Sequence, residues 1–229
     1  MGNKNILVLA AHPDDETLGC GGTILRYVAD GYKVFCLAMT NGVGSRKNRN
    51  NNKFILERKK SFIKASKILS FYPLLDESFK FQDNQMDKHS LLEVIKVIEN
   101  IKDKIKPKII FTHHASDLNI DHSIVTKAAL TAFRPQENES WTHIFSYEVP
   151  SATDYSYHVK KDRFHPNTYV AIDKFWKKKE KALRAYSFEL RKYPHSRSLK
   201  KIKSLNEYRG GESGIKMAES FCLLREIKK

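Results

Sequence analysis

His12, Asp14, Asp15 and Glu16 stand within five positions of one another in the stretch LAAHPDDETLGCGG. Carboxylates this close repel one another unless something positive sits among them. A bound cation supplies that charge and reverses the local electrostatics. His12 and Asp15 lie three apart across a turn, close enough to reach one ion. Zinc takes imidazole nitrogen and carboxylate oxygen, and a catalytic zinc keeps a position open for water. A third protein ligand is then required. The stretch IIFTHHASDLNIDH ends a second apolar run with histidines and aspartates, and His122 opens the helix after it. His12, Asp15 and His122 make a hydrolytic zinc site in outline. Another divalent metal is the alternative, because affinity order alone does not choose the ion. Asp121, beside His122, is of the kind that orients ligands or neighbouring side chains from behind.

Plainer explanations exist for the same residues. Asp14, Asp15 or Glu16 taken singly also suits a helix N-terminus, where negative charge is favoured. Gly19, Gly21 and Gly22 after a strand resemble a dinucleotide-binding turn. GCGG, however, falls inside the expected helix, and the turn itself carries carboxylates that would repel a pyrophosphate.

The elements that must position these side chains follow from periodicity. NILVLAA is continuous and β-rich, as expected of a strand buried on both faces. ETLGCGGTILRYVADGY reads as a helix stopped by Gly31, and KVFCLAMT as a second strand. SRKNRNNNK is polar and without period, and is expected to be mobile. FILERKKSFIKASKILSF and HSLLEVIKVIENIKDKIK read as amphipathic helices, with a short strand between them in SFKFQDN. KIIFTHH is another buried strand, followed by a helix in HSIVTKAALTAF. HIFSYEV reads as a strand, and TYVAIDKFWKKKEKALRAYSFEL as a strand followed by a helix capped or begun at Asp173. Alternating strands and helices predict a Rossmann-like α/β fold, a mostly parallel sheet with helices on both faces. Ligands of such sheets sit beyond the carboxyl ends of the strands, where both histidine-bearing stretches fall.

The 229 residues suit a single domain, with residues 1–135 as the core sheet and 136–229 capping or extending it. No apolar run approaches the roughly 20 residues a membrane span needs. The first apolar run is short and leads straight into polar residues, so no signal peptide is expected and the cytoplasm is the expected compartment. Cys20, Cys36 and Cys222 have no metal-type spacing and read as reduced, packed thiols. Net charge is +15, and residues 160–203 hold 15 basic against 4 acidic residues. Such a face attracts phosphate or nucleic acid, although a solvated lysine-rich surface explains it as well. A purely phosphate- or nucleic-acid-binding module is the less favoured alternative, since it leaves the carboxylate-rich strand end unexplained.

AHPDDETLGCGG with the distant DLNIDH resembles the PIG-L/LmbE-like family of zinc-dependent N-deacetylases. TNG after the second strand, Asp83-Asn84, RPQ, FHPNTYV, PHSRS and RGGESGIKMAESF extend the resemblance over most of the chain. It implies zinc on His12, Asp15 and His122, and Asp14 as the general base that takes a proton from the attacking water. It also implies an N-acetylated amino sugar or conjugate as small-molecule substrate; the alternative is a metal-dependent amidase on another N-acyl substrate, an N-formyl sugar or an acylated amino acid. One position departs from the pattern. Several members carry a histidine three residues before the metal histidine, where it helps stabilise the oxyanion, and this chain has Asn119. Either Asn119 serves as a weaker donor, or His113, His114 or His195 takes the role. Arg134, Arg197 and Arg209 are candidates to hold a phosphate or other anion on the substrate.

Overall fold

The computed structural model describes residues 3–44, 52–156 and 163–228. The strands are β1 (Asn5–Ala10), β2 (Lys33–Ala38), β3 (Tyr72–Pro73), β4 (Ile109–His113), β5 (His143–Tyr147), β6 (Thr168–Ala171) and β7 (Ala218–Glu226). They form one sheet in the order β3-β2-β1-β4-β5-β7-β6. The first five run parallel, and β7 pairs antiparallel with both β5 and β6. The helices are α1 (Asp15–Ala29), α2 (Asn52–Leu69), α3 (Leu91–Ile105), α4 (Ile120–Ala132), α5 (Trp176–Ala185) and α6 (Leu199–Glu212).

Burial on both faces explains the unbroken apolar run of β1, because successive strand side chains point to opposite faces. Ile6 and Val8 pack with Leu18 and Ile24 of α1, Phe62 of α2 and Leu183 of α5. Leu7 and Leu9 pack with Ile98 of α3 and Val125 and Ala129 of α4. The mostly parallel, helix-covered sheet expected from the sequence is therefore the fold. No helix among the described residues is long and apolar enough to cross a membrane.

Some elements differ from expectation. Residues 45–51, most of the stretch expected to be mobile, lie outside the described residues. SFKFQDN contributes only a single bridge, between Phe81 and Thr40. Asp173 does not begin α5; it opens a 3-10 turn, Asp173–Phe175, that leads into the helix at Trp176. Helix α6 and strand β7 were not foreseen. In α6 the buried residues are Ile202, Asn206 and Gly210, so its inward stripe is only one-third apolar and gives no hydrophobic period.

Helix α1 lies unusually close to its neighbours. A Cβ on Gly19 would sit 2.3 Å from the Tyr147 ring, and one on Gly22 would sit 2.5 Å from Ile172. The glycines of GCGG are thus contact points between α1 and the far half of the sheet. Deeper in the same interface, Lys179 of α5 and Glu219 of β7 form a fully buried ion pair at 2.6 Å. Glu219 accepts the Gly22 and Thr23 amides of α1, and Lys179 donates to the Leu18 carbonyl and to Asn206.

The chain runs from β1 to β2 on one side and returns to β4 on the other. That reversal opens a crevice beyond the carboxyl ends of β1 and β4. His12 to Asp15 leave β1 at this edge, and the segment from His113 to His122 leaves β4 beside them.

Candidate active site

His12 Nδ1, Asp15 Oδ2 and His122 Nε2 converge at the edge between β1 and β4. Their separations are 3.1 Å for His12 to Asp15, 3.3 Å for His122 to Asp15 and 3.3 Å between the two histidines. Ligand atoms about 2.0–2.1 Å from a tetrahedral zinc stand about 3.3 Å apart, so the trio fits one face of such a site. All three residues are buried, and Asp15 Oδ1 has no hydrogen-bond partner. Burial alone would keep His12 and His122 neutral. The Asp121, Asp15 and Asp83 carboxylates nonetheless hold His12 well above the ordinary imidazole value. Asp15 and Asp117 raise His122. Burial works against a charged Asp15 too, yet His122 and His12 hold it well below the usual carboxylate range. The buried carboxylates thus favour positive charge at this point, which is the charge a divalent cation would bring.

A second set of carboxylates supports the trio. Asp117 Oδ2 lies 2.8 Å from His122 Nδ1. Asp121 Oδ2 and Asp83 Oδ1 lie 3.1 and 3.0 Å from His12 Nε2. Such contacts fix ring orientation and tautomer of metal-binding histidines. Asp121 is itself held by the Asn84 and Met86 amides. Although next to His122 in sequence, it thus serves His12.

Asp14 occupies a strained turn, with φ 130° for a non-glycine residue. Its Oδ2 faces two arginines, Arg197 Nη1 at 3.0 Å and Arg58 Nη2 at 3.3 Å. Arg58 is buried and also binds Glu189 at 2.9 Å, while Arg197 Nε donates to Ser151 Oγ and the Pro150 carbonyl. Asp14 Oδ1 is buried and has no partner. Burial raises the Asp14 carboxyl above its usual value, with Arg58 and Arg197 opposing and Asp15 reinforcing. Glu16 points away from the ion position. It accepts the Asp14 amide, Thr17 Oγ1 and the Tyr186 hydroxyl, and burial pushes it up to about 7.

A cavity of about 350 Å³ opens on these groups. His12, Asp14, Asn119, His122, His195 and Arg197 all line it, together with Asp83, Arg58 and Glu189. Several expected site residues have other duties. Arg134 is exposed at the end of α4 and pairs with Glu99 at 3.3 Å, outside the cavity. Arg209 also lies outside it, gripped by Glu148 through two hydrogen bonds of 2.7 and 2.8 Å and by Glu212. Neither lines this cavity, and each guanidinium faces a carboxylate of this chain. Arg197 does line the cavity, with Nη1 turned to the Asp14 carboxylate. Asn119 caps α4, its Oδ1 accepting the Asp121 amide at 2.9 Å. His113 is enclosed at the end of β4, where Nε2 accepts the Ala11 amide and the ring stacks on His122. His114 packs against Phe164 and does not line the cavity.

Asp117, Arg58 and Glu189 escaped sequence reasoning, and Asp83 was noticed without a role. Asp117 had a usable signal, five residues before His122 in the same loop. The other three reach the site from distant segments and carry no local pattern.

A family model described as PIG-L, GlcNAc-PI de-N-acetylase, matches residues 7–133. A protein named uncharacterized deacetylase YaiS, of Escherichia coli strain K12, is 30% identical over 158 residues, spanning 65% of this chain and 75% of that one. Among solved structures, N,N'-diacetylchitobiose deacetylase from Pyrococcus horikoshii has a TM-score of 0.76 at 21% identity, covering 97% of this chain and 84% of its own. GalB, the 4-carboxy-2-hydroxymuconate hydratase of Pseudomonas putida KT2440, has a TM-score of 0.75 at 17% identity, covering 99% and 98%. A deacetylase and a hydratase share this fold, so the fold by itself does not select the reaction.

Proposed function

The chain belongs to the PIG-L family of deacetylases, and on that premise we propose that it is a zinc-dependent hydrolase that removes the N-acetyl group from an amino sugar or amino-sugar conjugate. The observation that carries this is the bare Asp14 Oδ1 beside the convergent His12, Asp15 and His122, all on one cavity. Zinc held by that trio would acidify water toward neutral pH and polarise the acyl oxygen. Asp14 takes the proton of the attacking water on Oδ1, while Arg58 and Arg197 keep Oδ2 and fix the carboxylate's direction. The same carboxyl then returns the proton to the amine nitrogen as the C–N bond breaks, and acetate and free amine leave. With Arg197 bound to Asp14, an uncharged sugar suits the reacting position better than a phosphate. The amino-sugar substrate is supported by the family description and by the diacetylchitobiose deacetylase among the structural neighbours.

The test is acetate release by zinc-loaded protein from a panel of N-acetyl amino sugars, their nucleotide conjugates and glycan fragments, with chelated protein as control. Release from at least one, abolished by chelation, is expected. No release from any member, or release undiminished without metal, overturns the proposal.

A further inference from the structure

We infer that His195 is the hydrogen-bond donor to the substrate's acyl oxygen during hydrolysis. This rests on amide cleavage at the site described above. As water adds to an amide carbon, negative charge gathers on the acyl oxygen, and a donor already aimed at that point speeds the step most.

The cavity offers few groups for the task. Asp14, Asp83 and Glu189 carry carboxylate acceptors. Arg58 and Arg197 direct their guanidinium groups at Asp14 and Glu189, and Arg197 also at Ser151 and Pro150. The Asn84 side-chain amide donates to Asp83. Both ring nitrogens of His12 and of His122 face carboxylates. Arg191 turns Nη1 to the Phe188 and Leu190 carbonyls, and the Ser151 hydroxyl oxygen accepts from Arg197. The remaining uncharged side-chain nitrogen donors on the cavity wall are the amide of Asn119 and the imidazole of His195.

His195 is the better prepared. Its Nδ1 accepts the Arg197 backbone amide at 3.0 Å. A backbone N–H only donates, so the hydrogen of the neutral ring sits on Nε2. Nε2 has no hydrogen-bond partner among the described residues, and the residue lines the same cavity as His12, Asp14 and His122. Its backbone is fixed on both sides: the amide donates to the Lys192 carbonyl at 3.1 Å, and its carbonyl accepts from Ser198 at 2.9 Å. Ser198 in turn caps α6. The ring's tautomer and backbone anchor are therefore set by its own loop before substrate arrives. Arg197 ties the two roles together, since its backbone sets the His195 tautomer while its side chain holds Asp14. Asn119, by contrast, spends its oxygen on capping α4.

The test pairs kinetics with binding, both on zinc-loaded protein. With an N-acetyl sugar the wild type cleaves, His195→Ala should lower kcat about 100-fold. KM should stay within about threefold, and His195→Gln, which keeps a neutral N–H, should recover about a tenth of wild-type kcat or more. The second arm titrates methylphosphonate, a tetrahedral oxyanion with no sugar, into the same proteins. His195→Ala should bind it at least about tenfold more weakly, with His195→Gln in between and metal content equal throughout. A kcat loss that appears in Asn119→Ser and not in His195→Ala overturns the assignment. So does wild-type protein that binds methylphosphonate no better than His195→Ala. If the wild type releases acetate from no N-acetyl sugar, the substrate proposal fails, and the methylphosphonate titration alone decides on His195.

Discussion

Asp14 and Asp15 are chain neighbours with opposite electrostatic fates, and the difference comes from what each one faces. Asp15 meets two imidazoles and stays charged, while Asp14 meets two guanidinium groups that do not fully offset its burial. Asp14→Asn should therefore keep the metal and lose turnover by about 10²–10⁴-fold, read from steady-state rates alongside metal content. Asp117→Asn should act on the ion instead, weakening zinc affinity by about 10–100-fold in a chelator competition, because His122 loses its orienting carboxylate. Glu16 gives a signature in pH. Its carboxyl rises from 4.5 when unfolded to about 7 when folded, so the folded protein holds a proton the unfolded chain has released. That contribution to stability is complete below about pH 4.5 and disappears as pH rises through about 7. Denaturant midpoints of Glu16→Gln should fall less than those of the wild type between pH 5 and pH 8; parallel profiles would count against the burial of a protonated Glu16. The convergence of His12, Asp15 and His122 was legible because each follows a recognisable strand or opens a helix. Arg58, Asp83 and Glu189 were not, because their partners lie dozens of residues away and only folding brings them together.

At the scale of elements, GCGG changes meaning between sequence and structure. As a string it invites a phosphate-binding turn; folded, it is the face of α1 that touches Tyr147 and Ile172. Tyr147 is rigid there, since its hydroxyl donates to the Leu9 carbonyl. Gly19→Ala must displace either the ring or the helix, and should destabilise by about 1–3 kcal/mol despite alanine's better helix propensity. An unchanged denaturation midpoint would mean α1 tolerates a shift, and with it a shift of Asp14 and Asp15. The parallel strands were readable because two-sided burial makes them continuously apolar. Helix α6 was not, since its inward residues are an isoleucine, an asparagine and a glycine. The asparagine faces Lys179, so the missing hydrophobic period is itself the trace of a buried ion pair.

For the molecule as a whole, the site joins segments that are remote in sequence, so an ion there should hold the fold together. At a free concentration 100 times its dissociation constant, a ligand stabilises by about 2.7 kcal/mol. In a chain of this size each kcal/mol moves the thermal midpoint by about 2–4 °C. Chelation should then lower the melting temperature by roughly 5–10 °C in calorimetry, and zinc should restore it. The basic bias of residues 160–203, which suggested an anion-binding face, is partly internal: Lys179 and Arg197 turn inward to Glu219 and Asp14. The Lys179–Glu219 pair also bears on how the protein is made. Helix α1 passes two of its amides to a residue 197 positions further along, and one carbonyl to a lysine 161 positions on. While the chain emerges from the ribosome, the protein partners of those groups arrive only as α5 and then β7 are translated. Helix α1 thus completes its hydrogen bonds only when the last strand joins the sheet.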